Sequence, residues 1–87
     1  MALAEDFQTA VQTSQGLTRR PSNEELLELY ALYKQSTEGD VSGDRPGGFD
    51  FKAIAKYDAW AEKKGLTKDQ AMESYITLVA RLKEQYA

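Results

Sequence analysis

The stretch SNEELLELYALYKQS, residues 22–36, decides the fold. Ser22, followed three residues later by Glu25, forms a capping box, in which the serine oxygen accepts from the N3 amide while the glutamate reaches back to the N-cap. The apolar and aromatic side chains that follow fall on one arc of an α-helix. The stretch therefore predicts an amphipathic helix that begins after Ser22, runs to about Ser36 and stops before Gly39.

Three further helices are predicted around this one. The first covers about residues 3–15, where apolar side chains recur on one helical face. Another covers about residues 51–64, with Asp50 as its N-cap and Gly65 as the residue that ends it. A second capping box, TKDQ at residues 67–70, opens a last amphipathic helix that we expect to reach the C-terminus.

Length and spacing indicate a single domain. The chain has 87 residues, which is enough for one modest core. Residues 37–50 hold four of the six glycines. They are too few for an interdomain linker, so we interpret them as one long ordered connection. Residues 1–87 are therefore predicted to form one all-α domain of four helices.

Composition excludes several classes of function. Eleven basic and fourteen acidic residues give a net charge of −3, which argues against nucleic acid as a partner. With no cysteine and no histidine, thiol nucleophiles, the usual general base and the commonest metal ligands are missing, so we expect neither an enzyme nor a metal site. The apolar runs are too short to span a bilayer, and MALAEDFQTA (1–10) lacks the features of a secretory signal. We expect a soluble, cytoplasmic protein without stable membrane insertion.

A lysine interrupts the apolar arc of the second helix. On a helical wheel Lys34 falls between Tyr30 and Leu27, where an ammonium must either extend outward to water or meet an anion. A cation near a helix C-terminus also suits the helix dipole, so a simple surface lysine is the alternative interpretation. Lys52 and Lys56, four residues apart, share one side of the third helix, which is typical of a solvated edge or of an anion site.

The segments that carry these lysines have a familiar pattern. YALYKQSTEGD (30–40), RPG (45–47), DFK (50–52) and AKYDAW (55–60) closely resemble the acyl-CoA-binding proteins. The resemblance covers essentially the whole chain. It implies a four-helix bundle of up-down-down-up topology that binds medium- and long-chain acyl-CoA without covalent chemistry and without a cofactor. We expect a monomer.

The resemblance also assigns a site. Gln15 stands where such proteins often carry lysine, so a contact there would be a neutral hydrogen bond. The residues expected to contact acyl-CoA are Gln15, Tyr30, Tyr33, Lys34, Lys52, Lys56 and Tyr75, of which Tyr30, Lys34 and Lys56 would hold chiefly the ribose 3′-phosphate. The acyl chain is expected beside Leu26, Leu27 and Ala55.

One alternative function uses the same side chains. Leu26, Tyr30 and Tyr33 could form the docking face of a helical protein–protein interaction module without a lipid ligand. Stable binding of acyl-CoA, but not of free fatty acid, would separate the two hypotheses.

Overall fold

The computed structural model describes residues 2–86, which form four helices and contain no strand. The helices are α1 (Leu3–Gln15), α2 (Asn23–Glu38), α3 (Phe51–Ala61) and α4 (Lys68–Tyr86). The predicted all-α class is therefore confirmed. The predicted continuation of the last helix to Ala87 falls outside the described residues.

The helix starts follow from their capping residues. Ser22 Oγ accepts from the Glu25 N–H at 3.1 Å, and Glu25 Oε1 accepts from the Ser22 N–H at 2.9 Å. Thr67 and Gln70 repeat this reciprocal pair before α4, at 3.0 and 2.9 Å. The Asp50 side chain caps α3 through one bond of 3.2 Å. All three predicted caps are present, and each satisfies backbone donors that a helix leaves without partners.

One predicted helix end, that of α3, is wrong by about three residues. α3 ends at Ala61 rather than about Lys64, because the N–H groups of Lys63 and Lys64 donate to carbonyls three residues earlier, at 2.9 and 3.2 Å. Such bonds tighten the chain out of α-helical geometry. Gly65 then has a φ of 99°, which favours glycine. α2 continues two residues past its predicted end and finishes at Glu38.

Hydrogen bonds at both ends show that α2 and α4 are antiparallel. The Tyr86 hydroxyl, at the end of α4, donates to Glu25 Oε1, at the start of α2, over 2.6 Å. At the opposite end, Gln35 Nε2 donates to the carbonyl of Leu66, just before α4, over 2.9 Å. The two helices therefore lie side by side over most of their length.

The other two pairs of helices run parallel. Trp60 Nε1, near the end of α3, donates to the Gly39 carbonyl at the end of α2 over 2.8 Å. Thr18 Oγ1, just after α1, donates to the Tyr86 carbonyl over 2.6 Å. Combined with the antiparallel α2–α4 pair, these contacts give the predicted up-down-down-up order. Parallel neighbours joined in sequence need a long connection, which residues 39–50 provide.

α2 has helix neighbours on two sides. It packs against both α3 and α4, while α1 packs against α4. As a result Ala31 and Gln35, which fall on the polar side of the helical wheel, are fully buried. The apolar arc predicted to be the buried face is only partly covered, and Tyr33 is 40% exposed. The buried cluster consists of Phe7, Ala10, Leu29, Leu32, Ala71, Tyr75, Leu78, Val79 and Leu82.

Within residues 2–86 we find no helix whose length and apolar content would suffice to cross a membrane.

Candidate functional site

The partly covered arc of α2 forms one wall of a cleft against α3, here called the α2–α3 cleft. Its volume is about 550 Å³. Small and branched apolar side chains form its floor, and basic and amide side chains lie at its edge. The lining residues are Arg20, Asn23, Leu26, Leu27, Tyr30, Lys52, Ala55 and Lys56.

A second depression adjoins this cleft where α1, α2 and α4 meet, here called the tyrosine depression. It has a volume of about 390 Å³ and shares Leu26 and Tyr30 with the α2–α3 cleft, so the two form one continuous surface. Its lining residues are Val11, Ser14, Gln15, Leu26, Leu29, Tyr30, Tyr33 and Tyr75.

A fixed register between the parallel helices α2 and α3 positions the charged groups. Lys56 Nζ lies 5.2 Å from the ring centroid of Tyr30, and Lys34 Nζ lies 5.0 Å from that of Trp60. Both pairs are separated by 26 residues, so the second is one helical turn further along than the first. Each ammonium lies within reach of a cation–π interaction. The register therefore sets both amines near the contact between the two helices.

The two lysines differ in their ionic surroundings. Lys34 forms an ion pair with Glu38, one turn later on α2, and this bond raises the pKa of Lys34 above its ordinary value. In residues 2–86 the recorded ion pairs involve Lys34, Arg45 and Lys63, and none involves Lys56. Lys56 therefore has an aromatic neighbour but no carboxylate partner in this part of the chain.

Buried aromatic contacts fix the tyrosine depression. The Phe7 ring stacks on Tyr33 at 5.9 Å and meets Tyr75 edge-on at 5.1 Å, distances at which aromatic pairs attract. The hydroxyls of Tyr75 and Ser14 are hydrogen-bonded at 3.1 Å. Burial raises the pKa of Tyr75, and the Ser14 bond opposes that shift. Tyr75 is therefore a neutral phenol, held in place at the base of the depression.

The structure brings most of the predicted site residues together. Nine line the two cavities: Gln15, Leu26, Leu27, Tyr30, Tyr33, Lys52, Ala55, Lys56 and Tyr75. Lys34 is different: within residues 2–86 it lies over Trp60, beside Glu38, and not among the residues that line either cavity. Its α2 position next to Tyr33 nevertheless keeps it close to the depression.

Two residues that line the α2–α3 cleft were not predicted from the sequence. Arg20 and Asn23 lie at the edge of the α2–α3 cleft, and Arg20 Nη1 donates to Asn23 Oδ1 at 3.1 Å. Their position could have been inferred from the chain order, because both flank Ser22, the cap of the helix that forms the cleft wall. Arg20 adds a third basic side chain to the edge of the cleft, beside Lys52 and Lys56.

A groove larger than either of these cavities lies elsewhere. It has a volume of about 690 Å³ and runs between α2 and α4. Its side chains are mixed: two glutamates, one arginine, hydroxyls, amides and leucines, without a cluster of cations. It contains none of the predicted residues. The lining residues are Glu28, Leu32, Leu66, Gln70, Glu73, Ser74, Thr77, Leu78 and Arg81.

The chemistry of the α2–α3 cleft suits an amphipathic anion. Apolar side chains there can take a hydrocarbon chain out of water, and the amines of Lys52 and Lys56 can bind oxyanions by charge-assisted hydrogen bonds. Among residues 2–86 there is no group of three or more carboxylates able to hold a metal ion.

Comparison with known proteins agrees with this geometry. The family model described as Acyl CoA binding protein matches residues 4–79. Acyl-CoA-binding protein homolog 1 of Caenorhabditis elegans is 52% identical over 80 residues, which cover 92% of this chain and 93% of that protein. The acyl-CoA-binding protein of Brassica napus is 49% identical over 87 residues, covering 100% of this chain and 95% of the relative.

A solved structure extends the similarity to three dimensions. The crystal structure of Oryza sativa Acyl-CoA-Binding Protein 2 superimposes with a TM-score of 0.92 at 43% identity, covering 97% of this chain and 93% of that one. Sequence and fold thus agree, and the chain belongs to the acyl-CoA-binding protein family.

Proposed function

We propose that this chain binds medium- and long-chain acyl-CoA thioesters without covalent chemistry, and buffers and transports them inside the cell. The observation that carries the proposal is the α2–α3 cleft. Its floor of Leu26, Leu27 and Ala55 is apolar, and Lys52 and Lys56 supply cations at the same cleft. Such a pairing matches a ligand that is half hydrocarbon and half polyanion.

Each half of the ligand contributes by a different force. A methylene group moved from water into the cleft contributes about 0.8 kcal/mol. Hydrogen bonds from ammonium groups to phosphate are charge-assisted and roughly twice as strong as neutral ones. These local cations can outweigh the net charge of −3, because screening weakens the influence of distant surface carboxylates.

The family resemblance implies individual roles for these residues. We infer that Lys56, Tyr30 and Lys34 bind the ribose 3′-phosphate, with Lys52 at the edge of the site. Tyr33, Tyr75 and Gln15, which line the tyrosine depression, contact the rest of the CoA moiety. The acyl chain follows the floor of the α2–α3 cleft.

The proposal includes a cytoplasmic monomer that does no chemistry on its ligand. The family is named for binding, and the sequence contains neither histidine nor cysteine to activate water or attack a thioester. Incubating the protein with palmitoyl-CoA tests this directly, because hydrolysis would release CoA thiol. We expect no thiol release above the rate without protein.

The alternative of a protein–protein interaction module is not favoured. Leu26 and Tyr30, which would form its docking face, line a concave cleft together with Lys52 and Lys56, and neither lysine forms an ion pair within residues 2–86. A docking face for a neutral helix would not need those cations.

Calorimetric titration tests the proposal. We expect palmitoyl-CoA to bind one to one in the presence of a chelator, and CoA and palmitate each to bind much more weakly than the thioester that joins them. Equal affinity for palmitate and palmitoyl-CoA would refute the phosphate site. No binding of palmitoyl-CoA would refute the function.

A further inference from the structure

The Lys34 ammonium is already occupied in this structure. Its Nζ forms an ion pair with Glu38 and lies 5.0 Å from the centroid of Trp60. The Lys34 side chain is only 23% exposed, while that of Glu38 is 53% exposed. Trp60 is itself fixed by the bond of its Nε1 to the Gly39 carbonyl. Lys34 is thus held by a carboxylate and an aromatic face, and it is not among the residues that line the two cavities.

Helix stability does not explain why an acid stands at position 38. Glu38 is the last residue of α2, where the partial negative charge of the helix dipole disfavours an acid. The order lysine then glutamate at i,i+4 is also the weaker orientation of such a pair. The carboxylate is therefore poorly placed to stabilise its own helix, although it is well placed to hold Lys34.

We propose that Glu38 is a specificity-determining residue that competes with the ligand phosphate for Lys34. The inference rests on the proposed binding of acyl-CoA. To reach the phosphate, Lys34 must leave Glu38, so the ligand exchanges one anionic partner of the lysine for another. Glu38 therefore weakens binding of the complete ligand and favours release. Lys56, which lacks a carboxylate partner among the described residues, is free of this competition.

The expected effect is modest and selective. Replacing Glu38 by glutamine removes a partly exposed i,i+4 ion pair, so palmitoyl-CoA should bind roughly two- to fivefold more tightly. The gain should shrink for 3′-dephospho-palmitoyl-CoA, which lacks the phosphate that Lys34 is proposed to meet. The E38Q variant should be no less stable than the wild type, since a charge that opposes the dipole is lost.

The experiment compares Glu38→Gln with Glu73→Gln, which changes net charge equally in the groove between α2 and α4. Both substitutions are also made in a Lys34→Ala background, and the dissociation constants for palmitoyl-CoA are measured by calorimetry at one salt concentration. Urea unfolding of every variant verifies that it is folded. A gain that is specific to E38Q and disappears in the Lys34→Ala background supports the inference.

Two results would overturn it. If E38Q and E73Q bind equally, Glu38 does not compete; if E38Q gains as much without Lys34, Glu38 acts on the ligand directly. In both cases the wild type still binds palmitoyl-CoA and the proposed function stands. Absence of wild-type binding would instead refute both the function and this inference.

Discussion

The carboxylate of Asp40 accepts a hydrogen bond from the backbone N–H of Gly65, with Oδ1 and N 3.0 Å apart. The same oxygen accepts from Nε2 of Gln35 at 2.8 Å. The Gly65 bond is the larger cause, and the Gln35 bond the second, of a pKa of Asp40 below its ordinary value of 3.8. One side chain thus connects the end of α2 to the turn before α4.

The stabilisation of the folded protein by the Asp40 carboxylate should disappear in acid. A carboxyl whose pKa is lowered by folding stabilises the native state above its unfolded pKa, and that stabilisation disappears as the pH falls through the folded pKa. We expect Asp40→Asn to unfold at lower urea concentration than wild type at pH 7, with the difference closing below about pH 4. Asp44→Asn, an equal charge change in the same loop, is the control. A difference that is unchanged at pH 3 would contradict the assignment.

Removing Lys56 should weaken ligand binding without unfolding the protein. We expect Lys56→Ala to lose roughly 1.5–3 kcal/mol of binding free energy for palmitoyl-CoA, the range for hydrogen bonds to charged groups. The loss should be smaller with the 3′-dephospho ligand, as measured by calorimetry. Lys83→Ala removes an equal charge at an exposed position of α4 and should change binding little. Equal losses with both ligands would show that Lys56 does not contact the 3′-phosphate.

Affinity should rise with acyl chain length until the cleft is filled. At about 0.8 kcal/mol per methylene, lengthening the acyl chain from eight to sixteen carbons contributes at most roughly 6 kcal/mol of binding free energy. The gain should flatten near the common long acyl chains. Ala55→Phe fills the floor and should flatten the series earlier, while Ala80→Phe, on an exposed face of α4, should not. Calorimetry with saturated acyl-CoAs measures both. A flat wild-type response would mean that the chain stays outside the protein.

Stability and binding should be separable in the core. Leu82 is fully buried in α4 and lines neither cavity among the described residues. We expect Leu82→Ala to lower the free energy of unfolding by roughly 2–5 kcal/mol through the cavity it leaves. Where the variant remains folded, its affinity for palmitoyl-CoA should equal that of wild type. Urea unfolding and calorimetry at the same temperature test both statements.

Local signals in the sequence predicted the helices well. Capping residues such as Ser22, Thr67 and Asp50 act within one turn, so they can be recognised without knowledge of the tertiary structure. The end of α3 was less predictable, because two lysines that suit a helix C-terminus lie in the tighter turns before Gly65. Those turns depend on the path of the backbone between α3 and α4, which local signals do not determine.

Nine of the ten residues proposed for the site line the two cavities, but their contacts could not be predicted from the sequence. The apolar arc of α2 suggested a buried face, yet three of its side chains, Leu26, Leu27 and Tyr30, line the cleft. Ala31 and Gln35, on the opposite side of the helix, are fully buried instead. Similarly, the sequence placed Lys34 in the site without indicating that Glu38 holds it. An i,i+4 lysine–glutamate pair is common on helices, and only the position of Trp60 shows where this one is directed.

The sparse packing of α3 gives the fold uneven local stability. In the part of the chain that is described, α3 packs against α2 and against neither α1 nor α4. Hydrogen bonds from Tyr57 to the Gly43 carbonyl and from Arg45 to Asp58 join α3 to the preceding loop. Such an element can detach as a cooperative unit while the rest remains folded. Amide hydrogens of α3 should therefore exchange with solvent before those of α4. A ligand held between α2 and α3 should slow hydrogen exchange in α3 more than in the other helices. We therefore expect uptake and release to proceed through this local opening, while the α1–α2–α4 core stays intact.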